Sequence, residues 1–420
     1  MIYQLYYANK KYILSIIFYF ILIICISYIL WNPFSDGDIF WHIAVGNSIL
    51  NTFSIPFLDE WSYTASGNPV IYHSWLSELI FACIYRIFGE IGLELAKYFI
   101  HSSTICLLYF YTKKKRMHPL FSVFLILLLS FWLQTQVVRP QIITPLFCVI
   151  YFITINKQII KYWTLIIVTL LTWIWTNLHG GFVIGLFLLL SGLVSECINK
   201  YLKLKDVSIY DGKLKMMFWL AMLSFLITFI NPYGIKIYID ILQGIHYPSF
   251  DWVNIYLWPP NTHYITLIII IAIFFYFSLS IINFQFSDFE ANNYLAQSLM
   301  VYYFLITARR LDWLLFIPTY HMLNSIQYSI NPYTTSILSR RIMVPVLLLL
   351  FIIIKYISIP TALKSTEFPK EYENYFQNES LVGNMFCPLT WSGKVTLLTK
   401  GKIKIYIDGR LGLYPKHMFF

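Results

Sequence analysis

Tyr12-Ile-Leu-Ser-Ile-Ile-Phe-Tyr-Phe-Ile-Leu-Ile-Ile-Cys-Ile-Ser-Tyr-Ile-Leu30, followed by Trp31-Asn-Pro-Phe-Ser-Asp36-Gly-Asp38-Ile-Phe-Trp-His42, decides how the rest of the chain is read. An unbroken apolar run of this length crosses a hydrocarbon core of about 30 Å as a helix. It exceeds the roughly 7–15-residue apolar region of a cleavable signal, and no small-x-small cleavage site follows it. It therefore reads as a retained first transmembrane helix. Two carboxylates and a histidine stand just beyond it.

Composition extends the same conclusion to the whole chain. Its 420 residues are 58% hydrophobic and 12% charged, with a mean hydropathy of +0.65, a balance that one soluble core does not accommodate. The expected fold class is an all-α polytopic membrane protein with about eleven transmembrane helices. They fall at 12–30, 92–112, 118–134, 141–156, 162–177, 180–198, 215–230, 263–282, 293–308, 312–328 and 342–360. The formal net charge of +10 lies in short clusters between these runs, which argues against nucleic acid as a partner. Lys10 and Lys11, Lys113 to Arg116, Lys157 and Lys161, Lys200, Lys203, Lys205, Lys213 and Lys215, and Arg340 and Arg341 share one side if the spans alternate. Arg86, Lys97, Arg139, Lys236, Arg309 and Arg310 fall on the other. The positive-inside rule makes the first side cytoplasmic. The expected protein is then multi-pass in the plasma (inner) membrane, with the N-terminus inside and both the 31–91 loop and the 361–420 tail outside. Cys25, Cys83, Cys106, Cys148, Cys197 and Cys387 are scattered singly and read as small core residues.

The 31–91 loop is too long to be a simple connection, so it is expected to build a site. Its second half, 72–88, carries apolar positions at mixed helical spacing, which predicts a helix along the interface with Glu78 on its solvated face. Asp36 and Asp38 also suit an ordinary turn. However, Ile39-Phe40-Trp41 draws them to the interface, where partial desolvation makes a carboxylate a better general base. Asp59 and Glu60, near the turn Ser66-Gly67-Asn68-Pro69, suit acceptor contact or loop structure ahead of catalysis. Arg139 and the Arg309-Arg310 pair stand at external ends of spans. There an arginine either snorkels or grips a phosphate through two parallel hydrogen bonds. His179, in Asn177-Leu-His-Gly-Gly181, is either a capping residue or a donor to substrate. His42 and His73 share the acidic loop as structural or substrate-binding histidines. A divalent metal is compatible with Asp36 or Asp38 as ligand but is not demanded, and no other cofactor is called for.

Beyond residue 360 the pattern changes. A short helix is expected over 367–376, and Lys402-Ile-Lys-Ile-Tyr-Ile alternates as a half-buried strand does. The chain thus divides into a transmembrane domain, 1–360, and a small external α/β element, 361–420. Asp408 and Arg410 read as a structural turn within the latter.

An acidic pair in the first external loop of a many-spanning protein resembles the GT-C superfamily of glycosyltransferases. The resemblance is carried by Asp38-Ile-Phe-Trp-His-Ile-Ala-Val-Gly46, Ile55-Pro56, Asp59-Glu-Trp-Ser-Tyr-Thr64, His73-Ser-Trp-Leu76, Arg139-Pro-Gln141, Asn177-Leu-His-Gly-Gly181, Asn231-Pro-Tyr-Gly234 and Ile407-Asp-Gly-Arg410. The longer run of motifs looks like a bacterial branch of such proteins, many of them uncharacterised. The resemblance implies transfer of a sugar from a polyprenyl-phosphate donor to a glycan, lipid or protein acceptor, with inversion at the anomeric carbon. An external carboxylate takes the acceptor's proton, with Asp36 the first choice and Asp38 the second. Two other classes are weighed beside it: a transporter or flippase for a lipid-linked glycan, and a non-catalytic protein of envelope assembly. Acids gathered in a surface loop rather than within spans favour chemistry over passage.

Overall fold

The computed structural model describes residues 37–133, 136–201, 207–246, 312–329, 368–369, 371–377, 381–410 and 413–414. Helices α1 (Asp38–Thr52), α2 (Trp75–Lys114), α3 (Pro119–Leu133), α4 (Thr144–Ile155), α5 (Tyr162–Leu178), α6 (Phe182–Tyr201), α7 (Val207–Ile227), α8 (Lys236–His246) and α9 (Phe316–Ser329) form the main body. The tail contributes α10 (Glu371–Phe376), β1 (Gly383–Met385), α11 (Leu389–Leu398) and β2 (Ile403–Ile405). The expected spans at 92–112, 118–134, 141–156, 162–177, 180–198, 215–230 and 312–328 coincide with helices. Those at 12–30, 263–282, 293–308 and 342–360 lie outside the described residues, as do Asp36, Arg309 and Arg310. Among the described residues one helix, α6, is long and apolar enough to cross a membrane, while α3, Pro140–Ile155 and α5 are apolar but shorter.

Helices α5 and α6 turn hydroxyl side chains inward and part of their apolar surface outward, around an interior that is itself largely apolar. On α5, Trp163, Ile167, Leu170 and Ile174 are exposed, whereas Thr172 and Thr176 are buried and return their hydroxyls to Val168 and Thr172 carbonyls. On α6, Phe187, Leu190 and Val194 point out while Ser191 and Ser195 point in. The interior is closed by Trp175, stacked on Phe147 at 4.9 Å and met edge-on by Tyr151. An exposed apolar ridge on several neighbouring helices marks a surface made for something other than water.

Two sequence expectations need correction. Lys213 does not lie between helices but within α7, which starts at Val207, and its ammonium is buried 2.5 Å from the Glu196 carboxylate of α6. A carboxylate on the neighbouring helix lets a lysine enter an interior that its charge would otherwise keep it out of. The cysteines also differ from expectation. Cys148 and Cys387 are buried, but Cys83, Cys106 and Cys197 are exposed. Helical periodicity turns them to the same outer faces as their apolar neighbours.

In the first loop, α2 breaks at Gly89, whose φ of 62° and ψ of −153° separate a leading segment from the helix that fills the 92–112 span. Helix α1 is pressed between two partners. A Cβ at Gly46 would lie 2.0 Å from the Glu78 carbonyl of α2, and one at Gly37 would lie 1.9 Å from the Thr390 carbonyl of α11. Only glycine permits both approaches. Ile39 and Ile43 fill the α1–α2 contact with Phe81, Ala82 and Leu93.

The tail is built into the first loop. β1 and β2 pair in parallel, Gly383 opposite Ile403 and Met385 opposite Ile405, with α11 as the crossover. On the other edge of β2, Ile405 donates to the Trp61 carbonyl and Tyr63 donates to the Ile405 carbonyl. Lys394 of α11 reaches Glu90 at 3.0 Å and Glu373 at 3.1 Å, and lies 4.2 Å over the Phe40 ring.

Candidate functional site

Asp38 opens α1, and the Arg139 guanidinium lies 2.6 Å from its Oδ2. Arg139 is placed by Pro140, which begins a short 3-10 helix, Pro140–Ile143, and leaves the arginine extended in front of it. Gly409 of the tail covers the same carboxylate, since a Cβ there would meet Asp38 Oδ1 at 2.7 Å. One helical turn after Asp38, His42 presents Nδ1 to Glu78 Oε1 at 3.0 Å, with both side chains buried. Glu78 is therefore not on a solvated face. The first loop covers that side of the helix, which its own periodicity could not reveal.

A second group of imidazoles stands alongside. His73 Nδ1 lies 3.0 Å from Asp240 Oδ2 on α8, and the His73 and His179 rings are 6.4 Å apart. Thr144 Oγ1 lies 2.9 Å from His179 Nδ1, and the Gly181 N–H donates to the same nitrogen at 3.0 Å. This leaves the proton of a neutral ring on Nε2. The start of α2 is tied to the end of α5, because Trp75 Nε1 donates to Asn177 Oδ1 at 2.9 Å and Ser77 Oγ donates to the Leu178 carbonyl at 2.7 Å.

The tail contributes a buried knot of charge. Arg410 donates through Nε to both Asp408 oxygens at 3.0 and 2.9 Å and through one terminal nitrogen to Tyr72 Oη at 2.8 Å. That same nitrogen is 2.8 Å from Asp59 Oδ1, and the guanidinium lies 5.0 Å over the Trp61 ring. Asp59 also accepts from Ser62 N at 3.1 Å and Ser62 Oγ at 2.5 Å, so its carboxylate serves the loop and the tail. Tyr72 N donates in turn to Tyr233 Oη at 3.1 Å.

These groups share one electrostatic environment. Burial, reinforced by Arg139, His73, His179 and Arg410, holds the His42 pKa well below its usual value. Burial pushes the Glu78 carboxyl well up, against the pull of Arg410. Burial likewise raises Tyr72 and pushes Tyr233 up to about 12. Burial opposes the charge on Arg410, but Asp408, Tyr72 and Asp59 outweigh it and keep the guanidinium charged.

His179 is lowered to about 3 by burial, with His73 adding to the effect. An unfolded histidine binds its proton near pH 6.5, so the stability carried by neutral His179 is complete above that pH and is lost as pH falls toward about 3. The slope is at most about 1.4 kcal/mol per pH unit. Thermal unfolding in detergent from pH 7.5 to pH 5 is expected to lose midpoint more steeply in the native sequence than in His179→Gln; parallel curves would overturn the assignment.

Of the residues singled out by sequence, Asp38, His42, His73, Arg139 and His179 come together. Asp59 belongs to the Arg410 knot. Glu60 is exposed, and its backbone carbonyl accepts from the Lys404 ammonium. Tyr72, Glu78, Tyr233, Asp240, Asp408 and Arg410 were not among the expected site residues. Tyr233 and the Asp408-Gly409-Arg410 turn lie in quoted motifs, so a signal existed for them, whereas Asp240 had none. Among the described residues no three His, Cys, Asp or Glu side chains assemble a metal-binding group, and Asp38 faces an arginine where a ligand would face a cation.

No family model and no curated protein sequence matches the chain. Among solved structures it is similar to the Archaeoglobus fulgidus oligosaccharyltransferase tethered through a disulfide bond to an acceptor peptide containing the NVT sequon. That similarity has a TM-score of 0.55 at 10% identity, over 92% of this chain and 63% of that one. The apo form of the same enzyme gives 0.53 at 9% identity, over 92% and 64%. The chain spans less than two thirds of the length of either. At this identity the likeness is one of overall fold.

Proposed function

We propose that the chain is a multi-pass membrane glycosyltransferase that moves a sugar from a polyprenyl-phosphate carrier to a glycan, lipid or protein acceptor on the external face of the plasma membrane. The observation that carries this reading is the Asp38–Arg139 pair standing beside His42, His73 and His179 in a GT-C fold. The outward apolar ridges of α5 and α6 suit lipid, along which a polyprenyl chain would lie. Arg139 is the cation for the donor phosphate, held in place by Asp38. The acceptor oxygen attacks the anomeric carbon while the bond from that carbon to the phosphate oxygen breaks. The lipid phosphate departs with the electron pair, and the sugar is inverted. The acceptor's proton passes to the first loop, which offers Asp38 and His42.

The test is the full chain in nanodiscs, given polyprenyl-phosphate hexoses and pentoses with water or alkyl glycosides as acceptors. Release of polyprenyl phosphate is expected. Asp38→Asn, which leaves Arg139 without its anchor, should lower the rate by about 100-fold, the scale for losing one preorganised electrostatic contact in a transition state. No release from any donor, or full activity in Asp38→Asn, would count against the proposal.

A further inference from the structure

We infer that His42, oriented by Glu78, is the base that takes the acceptor's proton, and that Asp38 serves instead to position Arg139. This rests on the glycosyl transfer proposed above. Three features of geometry support it. The Asp38 carboxylate is engaged by Arg139 at 2.6 Å with Gly409 packed against it, so its charge already serves a cation. His42 lies one turn further along the same helix, its Nδ1 fixed by Glu78, and its Nε2 makes no hydrogen bond among the described residues. Glu78 Oε2 is buried without a hydrogen-bond partner among the described residues, an arrangement that costs stability and that a purely structural clamp has no need of.

The chemistry of the pair follows from its surroundings. Burial favours the neutral form of each partner, so the resting pair carries no net charge and holds two protons, one between Glu78 and Nδ1 and a second on Nε2. Loss of the second leaves Glu78 ionised, Nδ1–H donating to it, and a lone pair on Nε2. Arg139 and Arg410 favour this anionic state, while Asp38 opposes it. His73, His179 and, from α11, Lys394 complete the groups that face α1. In the reaction the acceptor O–H bond breaks and its proton goes to Nε2. The acceptor oxygen bonds to the anomeric carbon, the phosphate leaves with the electrons of its bond, and the pair returns to neutrality before giving its proton to water. A carboxylate holding Nδ1–H raises the basicity of the opposite nitrogen, as in other histidine-carboxylate arrangements.

Nanodisc transfer assays across pH test this directly. In the native sequence kcat should rise with pH through one proton loss. His42→Gln should lower kcat by about 10²–10⁴-fold with the donor KM little changed, the usual scale of a lost general base. Glu78→Gln keeps an acceptor for Nδ1–H, so it should lower kcat by about 10-fold or more and move the rising limb to lower pH. A structural role for Glu78 would lower kcat equally at every pH. Native kcat in His42→Gln, or an unmoved limb in Glu78→Gln, would overturn the inference.

A second readout does not depend on turnover. Carbethoxylation of His42, followed by mass spectrometry, should accelerate through the same pH step, shift down in Glu78→Gln and be blocked by polyprenyl phosphate. Failure of the native protein to transfer sugar, with this behaviour of His42 intact, would reject the glycosyl-transfer reading while retaining the base. A His42 that does not titrate with Glu78 would reject the base alone.

Discussion

Arg410→Met is expected to release the tail from the first loop and to cost about 3–5 kcal/mol, the range for breaking a buried ion pair by removing one partner. The guanidinium is the common partner of Asp408, Asp59 and Tyr72, and both aspartates are almost wholly buried. Methionine keeps much of the arginine's volume but leaves two carboxylates in a site that water does not reach. Arg410→Lys should rescue little, because a single ammonium cannot reproduce the paired donation to Asp408 while reaching Asp59. Limited proteolysis is the direct readout: cleavage within 381–410 should become fast in Arg410→Met while the α3–α6 body stays resistant. Protection equal to that of the native chain would show that the knot does not hold the tail.

Lys213→Met should cost a similar amount, about 3–5 kcal/mol, because it leaves Glu196 buried between α6 and α7 without its counter-charge. The informative variant is the double one. Glu196→Leu combined with Lys213→Met replaces both charges by apolar groups, and such exchanges are often neutral or stabilising. The double variant is therefore expected to recover most of the loss, with a coupling energy well above 1 kcal/mol in a double-mutant cycle of detergent unfolding. Additive losses would mean that the two residues are held by other neighbours instead.

The long apolar helices were legible because each is a local event. The apolar run that predicts 162–177 is the same run that forms Tyr162–Leu178, whatever else the chain does. The site was legible in its residue types and not in its pairings. Asp38, His42, Arg139 and His179 stood out as polar groups in apolar or aromatic company, but nothing in the spacing says that Arg139 turns back to Asp38 or that His42 faces Glu78. Those partners come from different helices, and the choice depends on which faces the loop and tail cover. Glu78 illustrates the limit. By periodicity it belongs to the polar side of an interfacial helix, yet α1 lies across that side, brought close by Gly46, and the carboxylate becomes one of the most buried among the described residues. Arg410 illustrates the same limit from the other end. A turn was the economical reading of Asp-Gly-Arg until its partners were seen to be Asp59 and Tyr72.

The strand pairing between the first loop and the tail has a consequence for the order in which the protein is made. Thr64 donates to the Tyr406 carbonyl across a sequence separation of 342 residues. At typical synthesis rates of about 5–20 residues per second, that interval lasts on the order of tens of seconds. Throughout it α1 stands without α11 beside it, Asp38 lacks the cover of Gly409, and Asp59 has no guanidinium. The acidic loop is thus synthesised long before its counter-charges arrive. A chain interrupted before residue 381 would carry the helices and most of the candidate site residues, yet hold them in a loop with no partner strand. Completion of the site is a late event in biosynthesis, timed by β2 rather than by α1.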